Sequence, residues 1–392
     1  VVLNNLDSLN LKDTDKEKVL DTLSQFVLIH NNDSINRNLI FKVADKYYYL
    51  SQYDKYQKLS KKVLELAIME KDTIHIAKSL YFLGDYYDQK SKLDSAFSYY
   101  SQSEKLYERL NDSLNNGKVK LHKAGILFDA GNFAESETET VKALQILSKT
   151  KKNDLVYNCY NIIAISLKGL NDFKKSLDYF DLALKQLDKM EKENYPKESI
   201  IKSRITVYNN IGRVYEKMKN YQEAIHFYNK GIQTRNIKQD YPKSYAMLMD
   251  NLGYSKMKAG GYDDVEKLLL ESLKIRDSLG IALGSVSSKI NLGEYYLLQK
   301  DSTKGFAYLK EGYLASRKLK SSQHTIEALK LLMEYDFQNK SYYTNQYLKI
   351  TDSVQQVERA TRNKFARIAY ETDQVEEKNV VLSKTITNVI IG

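Results

Sequence analysis

Apolar and polar residues follow one another along this chain with a helical period, in short bursts. The stretch Asn209 to Gly231, NNIGRVYEKMKNYQEAIHFYNKG, sets the pattern. Ile211, Val214, Tyr215 and Met218 recur at three- and four-residue spacing, which places them on one face of a helix. Lys219, Asn220 and Tyr221 interrupt the period, and Ala224, Ile225, Phe227, Tyr228 and Ile232 mark a second helix. The small residues Gly212, Ala224 and Gly231 stand where two helices must come close. A hairpin of this kind cannot bury its apolar faces alone, so it requires stacked neighbours.

The neighbours recur. Gly84 leads to Ala96 and Tyr100, and Gly125 to Phe128 and Phe133. Ala164 takes the glycine's place in the next unit and leads to Phe173, Phe180 and Ala183; Gly253 leads to Tyr262, and Gly293 to Tyr296, Gly305 and Gly312. These anchors return about every 40 residues. An earlier unit starts at Ala44 with Tyr47 and Tyr53, and a fading one lies near Leu332. Ser136, Val265 and Gly305 replace the second-helix alanine in three units. The spacing predicts hairpins over 35–70, 73–110, 114–149, 153–191, 197–236, 241–279 and 282–319, an eighth unit from 322, and a preceding helix over 13–30. Asp72, Asp112, Asp154 and Asp240 are expected N-caps. Pro196 and Pro242 each open a first helix, where the missing backbone donor costs nothing.

The order Gly212, Tyr215, Ala224, Tyr228 resembles the tetratricopeptide (TPR) repeat. The resemblance runs over residues 35–350 and implies an all-α, right-handed superhelical solenoid of about seven to eight helical hairpins ending in a long C-terminal helix. It divides the chain into a capping helix (1–34), the solenoid (35–350), an extended helix (351–384) and a last stretch (385–392). In TPR arrays the first helices line a concave surface along which peptides lie. Helix geometry puts positions three before, one after and four to five after the anchor on that face. For the second and third units these are Tyr81, Asp85, Asp88 and Gln89, then His122, Ile126 and Asp129. For the fourth they are Asn161, Ile165 and Lys168, for the fifth Asn209, Arg213, Glu216 and Lys217, and for the sixth Asp250, Tyr254, Met257 and Lys258. The candidate groove is therefore Asn161, Lys168, Asn209, Arg213, Lys217, Asp250 and Tyr254. An amide there both donates to and accepts from an extended peptide backbone. Asn251 and Asn291 are expected instead to bond between adjacent helices, and for Asn161 and Asn209 both readings stand. Lys168, Arg213 and Lys217 offer a cationic spot for a carboxylate, against the alternative of ordinary solvated charge.

Beyond about residue 356 the repeat pattern gives way to heptads. With Thr361 at d, the d positions are Thr361, Ile368, Val375, Leu382 and Val389, and the a positions are Phe365, Thr372, Asn379 and Ile386. This predicts a coiled-coil seam and a homodimer through the C-terminal helix, with packing back on the last repeat as the rival. The segment Phe365 to Asn379 is similar to the stretch between TPR array and membrane helix in bacterial membrane-bound regulators. That resemblance implies an extracytoplasmic (periplasmic) sensor domain with a single-pass anchor just beyond Gly392, relaying to a cytoplasmic DNA-binding output. A histidine-kinase input and a soluble, cytoplasmic assembly scaffold are the alternatives. The apolar end from Thr385 is far short of the roughly 20 residues a span needs, and both ends read as cuts in a longer chain. Val1 to Asn5 has no signal-peptide character.

Composition removes other classes. With 60 basic and 50 acidic residues the net charge is +10, but the lysines are scattered over helix faces, so direct nucleic-acid contact is not expected. Thirty-two tyrosines and no tryptophan point to aromatic packing with one polar edge kept. The single Cys159 lies in an apolar helix and reads as core. The five histidines are scattered, no metal spacing or nucleophile motif occurs, and neither catalysis nor a cofactor is expected.

Overall fold

The computed structural model describes Leu3 and residues 11–391; in the last helix the side chains described are those through Val375 and that of Lys378. Eighteen α-helices and one 3-10 turn, with no strand, make up the described residues. They are α1 (Asp13–Leu28), α2 (Ser34–Tyr49), α3 (Tyr53–Met69), α4 (Thr73–Gln89), α5 (Leu93–Arg109), α6 (Ser113–Asp129), α7 (Phe133–Leu147), α8 (Asn153–Gly169) and α9 (Phe173–Lys192). After these come α10 (Lys197–Lys217), α11 (Tyr221–Ile232), α12 (Ile237–Asp240), α13 (Pro242–Lys258), α14 (Val265–Ser278), α15 (Ala282–Leu298), α16 (Ser302–Lys318), α17 (Ser322–Tyr335) and α18 (Lys340–Ile391).

The links are tight because a single residue reverses the chain. Ser51, Lys71, Ser91, Asn111, Asn171 and Lys219 take left-handed φ angles of 53 to 63°, and Gly131, Gly260 and Gly280 take 66 to 81°. Such a residue past the helix end satisfies the last carbonyls in a short return. The next helix opens on a capping side chain: Asp72 accepts from the His75 amide at 3.2 Å and Asp112 from that of Asn115 at 3.0 Å. Asp154 and Asp240 do not cap. Asp154 lies inside the first turn of α8. Asp240 ends the one-turn α12, whose insertion lets Tyr241 precede the helix that Pro242 opens.

The chain forms two compact units. The first comprises the described parts of Val1–Leu155 and Ala360–Gly392. In it α1 lays Leu20 and Val27 against Ile40, Phe41, Tyr47, Tyr56 and Val63 of the first hairpin. A second cluster joins Ala77, Ala96, Phe97, Tyr100, Tyr107, Val119, Ile126 and Leu127 to Phe365 of α18. The heptad stripe finds its cover here within one chain. Phe365 is 2% exposed, its ring centroid 4.8 Å from that of Phe97. Lys364 pairs with Asp94, and Lys105 with Asp373 at 2.7 Å. Ile368, Thr372 and Val375 face Ile76, Leu80 and Leu106 across a cavity of about 480 Å³. The seam read as an interchain coiled coil is thus occupied by α4 and α5 as far as it is described. The later positions Asn379, Leu382, Ile386 and Val389, and the apolar end 385–392, have side chains outside the described ones.

The second unit is Val156–Arg359. Phe180, Ala183 and Leu187 of α9 pack against Val207, Ile211 and Val214 of α10, and Tyr228 of α11 against Leu248 and Leu252 of α13. Leu309 and Tyr313 of α16 pack against Leu329 and Leu332 of α17 and Tyr343 of α18. The anchors earn their small size: a Cβ on Gly212 would lie 2.6 Å from Tyr228 Cζ. Cys159 is fully buried, and burial pushes its thiol up to about 12. Among the described residues no helix is long and apolar enough to cross a membrane.

Candidate functional site

In the second unit the first helices α8, α10, α13 and α15 carry polar side chains at the same positions of successive repeats, and these pair laterally. Asn251 Nδ2 donates to Asn209 Oδ1 at 2.7 Å, one repeat back. Asn291 Nδ2 donates to Asp250 Oδ2 at 3.0 Å in the next step. Ser255 Oγ donates to Glu216 Oε1 at 2.8 Å, and Lys258 pairs with Glu294. Asn251 and Asn291 therefore do what their spacing predicted.

Two candidate groove residues move out of the lining. Asn209 is 4% exposed, its oxygen taken by Asn251, because it sits on the side of α10 that faces α13. Asp250 has no exposed surface. Its carboxylate takes Arg276 at 3.0 Å, Ser288 Oγ at 2.8 Å and Asn291. A buried carboxylate survives only when its lone pairs are met in this way. Arg276 and Ser288 were missed in the sequence, since neither lies on the first-helix positions searched; a basic residue inside the apolar second-helix pattern of α14 was the available signal. Met257, another position read onto the face, is 2% exposed and belongs to the core.

The remaining candidates stay accessible. Arg213 and Lys217 are exposed and one turn apart on α10, and Lys168 is half-buried at the end of α8. Burial, then the charges of Arg213 and Lys217, push Lys168 down to about 8. None of the three has a carboxylate within ion-pair distance among the described residues. Asn161 is half-buried, and its Oδ1 is shut from solvent without a hydrogen-bond partner. Tyr254 lies under the Lys258 ammonium, 5.5 Å from its ring centre, and burial, then the charge of Glu294, raises its hydroxyl pKa. Burial likewise raises the Glu216 carboxyl, against the Ser255 hydrogen bond.

The first unit carries a separate polar set. Tyr100 donates to Asp85 Oδ1 at 2.6 Å and Tyr56 to Oδ2 at 3.3 Å, while the Tyr81 hydroxyl lies 2.8 Å from His122 Nε2. Burial pushes Asp85 up to about 7 and His122 down to about 4, so at neutral pH the imidazole is uncharged. Burial also raises Asp88 and Asp129. Ile126, expected on the face, is 1% exposed and lies in the core. Among the described residues no group of three or more His, Cys, Asp or Glu is placed to hold a metal ion.

Residues 205–235, which hold Asn209, Arg213 and Lys217, match the sequence model of the family described as tetratricopeptide repeat. The comparison with curated protein sequences finds no match. Solved structures share the fold at low identity. A Rap protein complexed with competence and sporulation factor is 14% identical, covering 91% of this chain and 96% of its own, with a TM-score of 0.60. The apo quorum sensor NprR from B. thuringiensis is 14% identical with the same coverage and a TM-score of 0.61. NprR in complex with its cognate peptide NprX is 13% identical, covering 89% of this chain and 97% of its own, with a TM-score of 0.55. Residues 205–235 are a tetratricopeptide repeat, and the chain around them has a TPR-like fold of successive helical hairpins ending in a long helix.

Proposed function

We propose that the chain is a non-enzymatic recognition domain that binds a peptide or a protein segment along the first helices of its second unit. The observation that carries this is the lateral polar ladder. Asn209–Asn251, Asp250–Asn291, Glu216–Ser255 and Lys258–Glu294 tie consecutive first helices together through their side chains. The face is thereby held as a pre-ordered polar surface, which lowers the ordering cost of binding an extended chain. The likeness in fold to NprR with its peptide supports the same reading. Its test is direct: immobilised chain is offered a pool of random short peptides. Retention that falls when Asn161→Ala and Arg213→Ala are introduced supports the reading, and equal retention by the double variant removes this face from it.

The finer reading is that this domain is the input of a membrane-anchored regulator with a DNA-binding output, the binding event being relayed through α18. What supports it is the similarity of Phe365 to Asn379 to the juxtamembrane segment of such regulators. Sequencing the native gene past the codon for Gly392 tests it. An apolar span followed by a helix-turn-helix supports it, a kinase segment favours the histidine-kinase alternative, and a stop codon leaves a scaffold.

A further inference from the structure

One edge of the first unit is apolar where it meets water. Phe26, Ile29, Ile35, Ile68, Met69 and Ile74 are between 55 and 81% exposed. They come from four helix ends at two turns, α1 into α2 and α3 into α4. The two turns are tied together. Asn32 Nδ2 donates to the Leu66 carbonyl at 3.0 Å. Arg37 donates to Asn32 Oδ1 at 2.6 Å and to Asp72 Oδ2 at 2.8 Å. The six side chains therefore share one edge.

The same positions take charge in other repeats. Ile35 and Ile74 are the second residues of their helices, where α8, α10 and α13 have Asp154, Glu198 and Lys243. Ile68 and Met69 close α3, whereas Glu108 and Arg109 close α5 and Arg317 and Lys318 close α16. The turns thus form without isoleucine or methionine, and turn geometry gives no reason for them. The polar groups among the six are already met. Asp33 accepts from the Asn36 amide at 2.7 Å, and Asp72 takes both Arg37 and His75. Covering this edge therefore strands few polar groups, which is the usual cost of burying such a surface.

Area and charge indicate what covers it. Six side chains of this size present roughly 600 Å² of apolar surface, the top of the range for the largest patch on a monomer. Across a two-fold axis that doubles to about 1,200 Å², enough for a stable interface before any rim is counted. The chain carries a net charge of +10, which opposes pairing over its surface at large. At this edge Asp33 and Glu70 offset Lys71, so that repulsion is removed. Glu70 and Lys71 are adjacent, exposed and without an ion-pair partner among the described residues. A two-fold axis sets each against its opposite on the other copy. A bilayer would call for a basic rim. Here Lys71 stands beside Glu70, and Lys61 and Lys62 lie two turns up α3 with Glu65 between them and the patch.

We propose that this edge is a self-association surface, on which two copies of the chain pair about a two-fold axis with Glu70 of each against Lys71 of the other. It uses no residue of the peptide face proposed above, nor of the heptad stripe on α18.

Sedimentation equilibrium of the full-length chain from about 1 to about 100 μM tests it. The parent is expected to reach twice the chain mass at the upper end. Ile35→Asp with Ile74→Asp installs what Asp154 provides in α8, at exposed helix starts that favour an acid. This variant is expected to melt as the parent does and to pair at least about 100-fold more weakly. Glu70→Lys weakens pairing, and adding Lys71→Glu restores it, because exchanging both signs preserves the pairs across a two-fold axis. A parent that stays at one chain mass at about 100 μM overturns the proposal. Flotation of that monomer with phosphatidylcholine vesicles would give the edge to a membrane instead. A dimer that survives the two aspartates overturns the assignment to this edge, and a Glu70→Lys defect that Lys71→Glu does not rescue overturns the two-fold arrangement.

Discussion

Phe365 of the C-terminal helix sets its ring 4.8 Å from that of Phe97, far away in sequence, and is buried there. Its flanks on α18 are mostly exposed from Asp352 to Lys364. The Phe365 ring, with Ile368 and Ala369 packed on the same cluster, and two ion pairs, Lys364–Asp94 and Lys105–Asp373, therefore hold this stretch of helix in place. Exposed pairs of this type contribute at most about 1 kcal/mol each, whereas truncating a buried Phe costs about 3 kcal/mol or more. Phe365→Ala is expected to release residues 360–375 without unfolding the repeats, while Lys364→Ala changes little. Hydrogen exchange reads this directly: in the Phe365 variant, amides of 360–375 lose protection and those of α4 to α6 largely keep it. Protection unchanged in that segment would show that the ring does not hold it.

The anchor glycines are alike in sequence and unlike in packing, which gives opposite signs for one substitution. A Cβ on Gly212 meets Tyr228 Cζ at 2.6 Å, but one on Gly125 meets nothing within 4 Å. Overpacking of that kind costs about 1–3 kcal/mol, and alanine in a helix interior regains about 1 kcal/mol over glycine. Gly212→Ala is expected to destabilise, and Gly125→Ala to stabilise by up to about 1 kcal/mol. Urea unfolding of the two variants, compared by midpoint, decides it; two shifts of the same sign would contradict the packing argument.

These anchors also show how far the sequence could be read. The period, the hairpins and the tight turns follow from local rules, so Gly212, Tyr228 and the repeat boundaries were legible. The lining was less so, because helix geometry fixes which side of α10 or α13 a residue occupies only to within the neighbour's approach. Asn209 and Asp250 lie on the edge of that face, and the next repeat closes over them. Asn251 closes over Asn209, and Arg276 of α14 with Ser288 of α15, positions that the anchor spacing does not point to, close over Asp250. The heptad stripe at Phe365, Ile368 and Thr372 reads in sequence as a seam between two chains, yet it meets α4 and α5 of its own chain, because a period does not say which helix it meets. The same pattern fits any apolar helix face; here α5 brings Phe97, and Asp94 with Lys105 supplies the matching charges.

Asn209 and Asn251 are coupled rather than independent. With Asn209→Ala, the Asn251 amide loses its acceptor in a nearly closed site, which costs about 1–3 kcal/mol. With both changed to alanine, the unmet donor is gone and part of that loss returns. A double-mutant cycle on unfolding free energies should therefore give an interaction term of about 1 kcal/mol. Additive losses would mean the bond at 2.7 Å contributes nothing net.

Asp85 makes the first unit sensitive to acid in an unusual direction. Its carboxyl titrates near 7 in the folded chain against an ordinary 3.8, because burial outweighs the hydrogen bonds from Tyr100 and Tyr56. Between those two values the folded chain holds a proton that the unfolded chain has released. Stability therefore falls as pH rises from about 4 to about 7, with the loss complete above 7. Asp85→Asn keeps an acceptor for Tyr100 and removes the titration, so its melting temperature should fall less over this range than the parent's and exceed it at pH 7.5. A parent and variant with parallel pH profiles would show that Asp85 stays ionised in the fold.

Arg213→Glu would place at the fifth repeat the carboxylate that Glu294 offers to Lys258. In the parent, Lys168 titrates near 8 when folded and near 10.5 when unfolded. Between those values the unfolded chain holds the proton that the folded chain has lost, so this lysine makes stability rise with pH from about 8 to about 10.5. With Glu at 213 the repulsion becomes an attraction and the folded-state value moves back up; burial still holds it below the ordinary lysine range, so that rise shrinks. The gain at pH 7 is at most about 1 kcal/mol, since position 213 is exposed. Melting curves at pH 7, 9 and 10 test this. A variant whose alkaline rise is as large as the parent's would show that Arg213 does not act on Lys168.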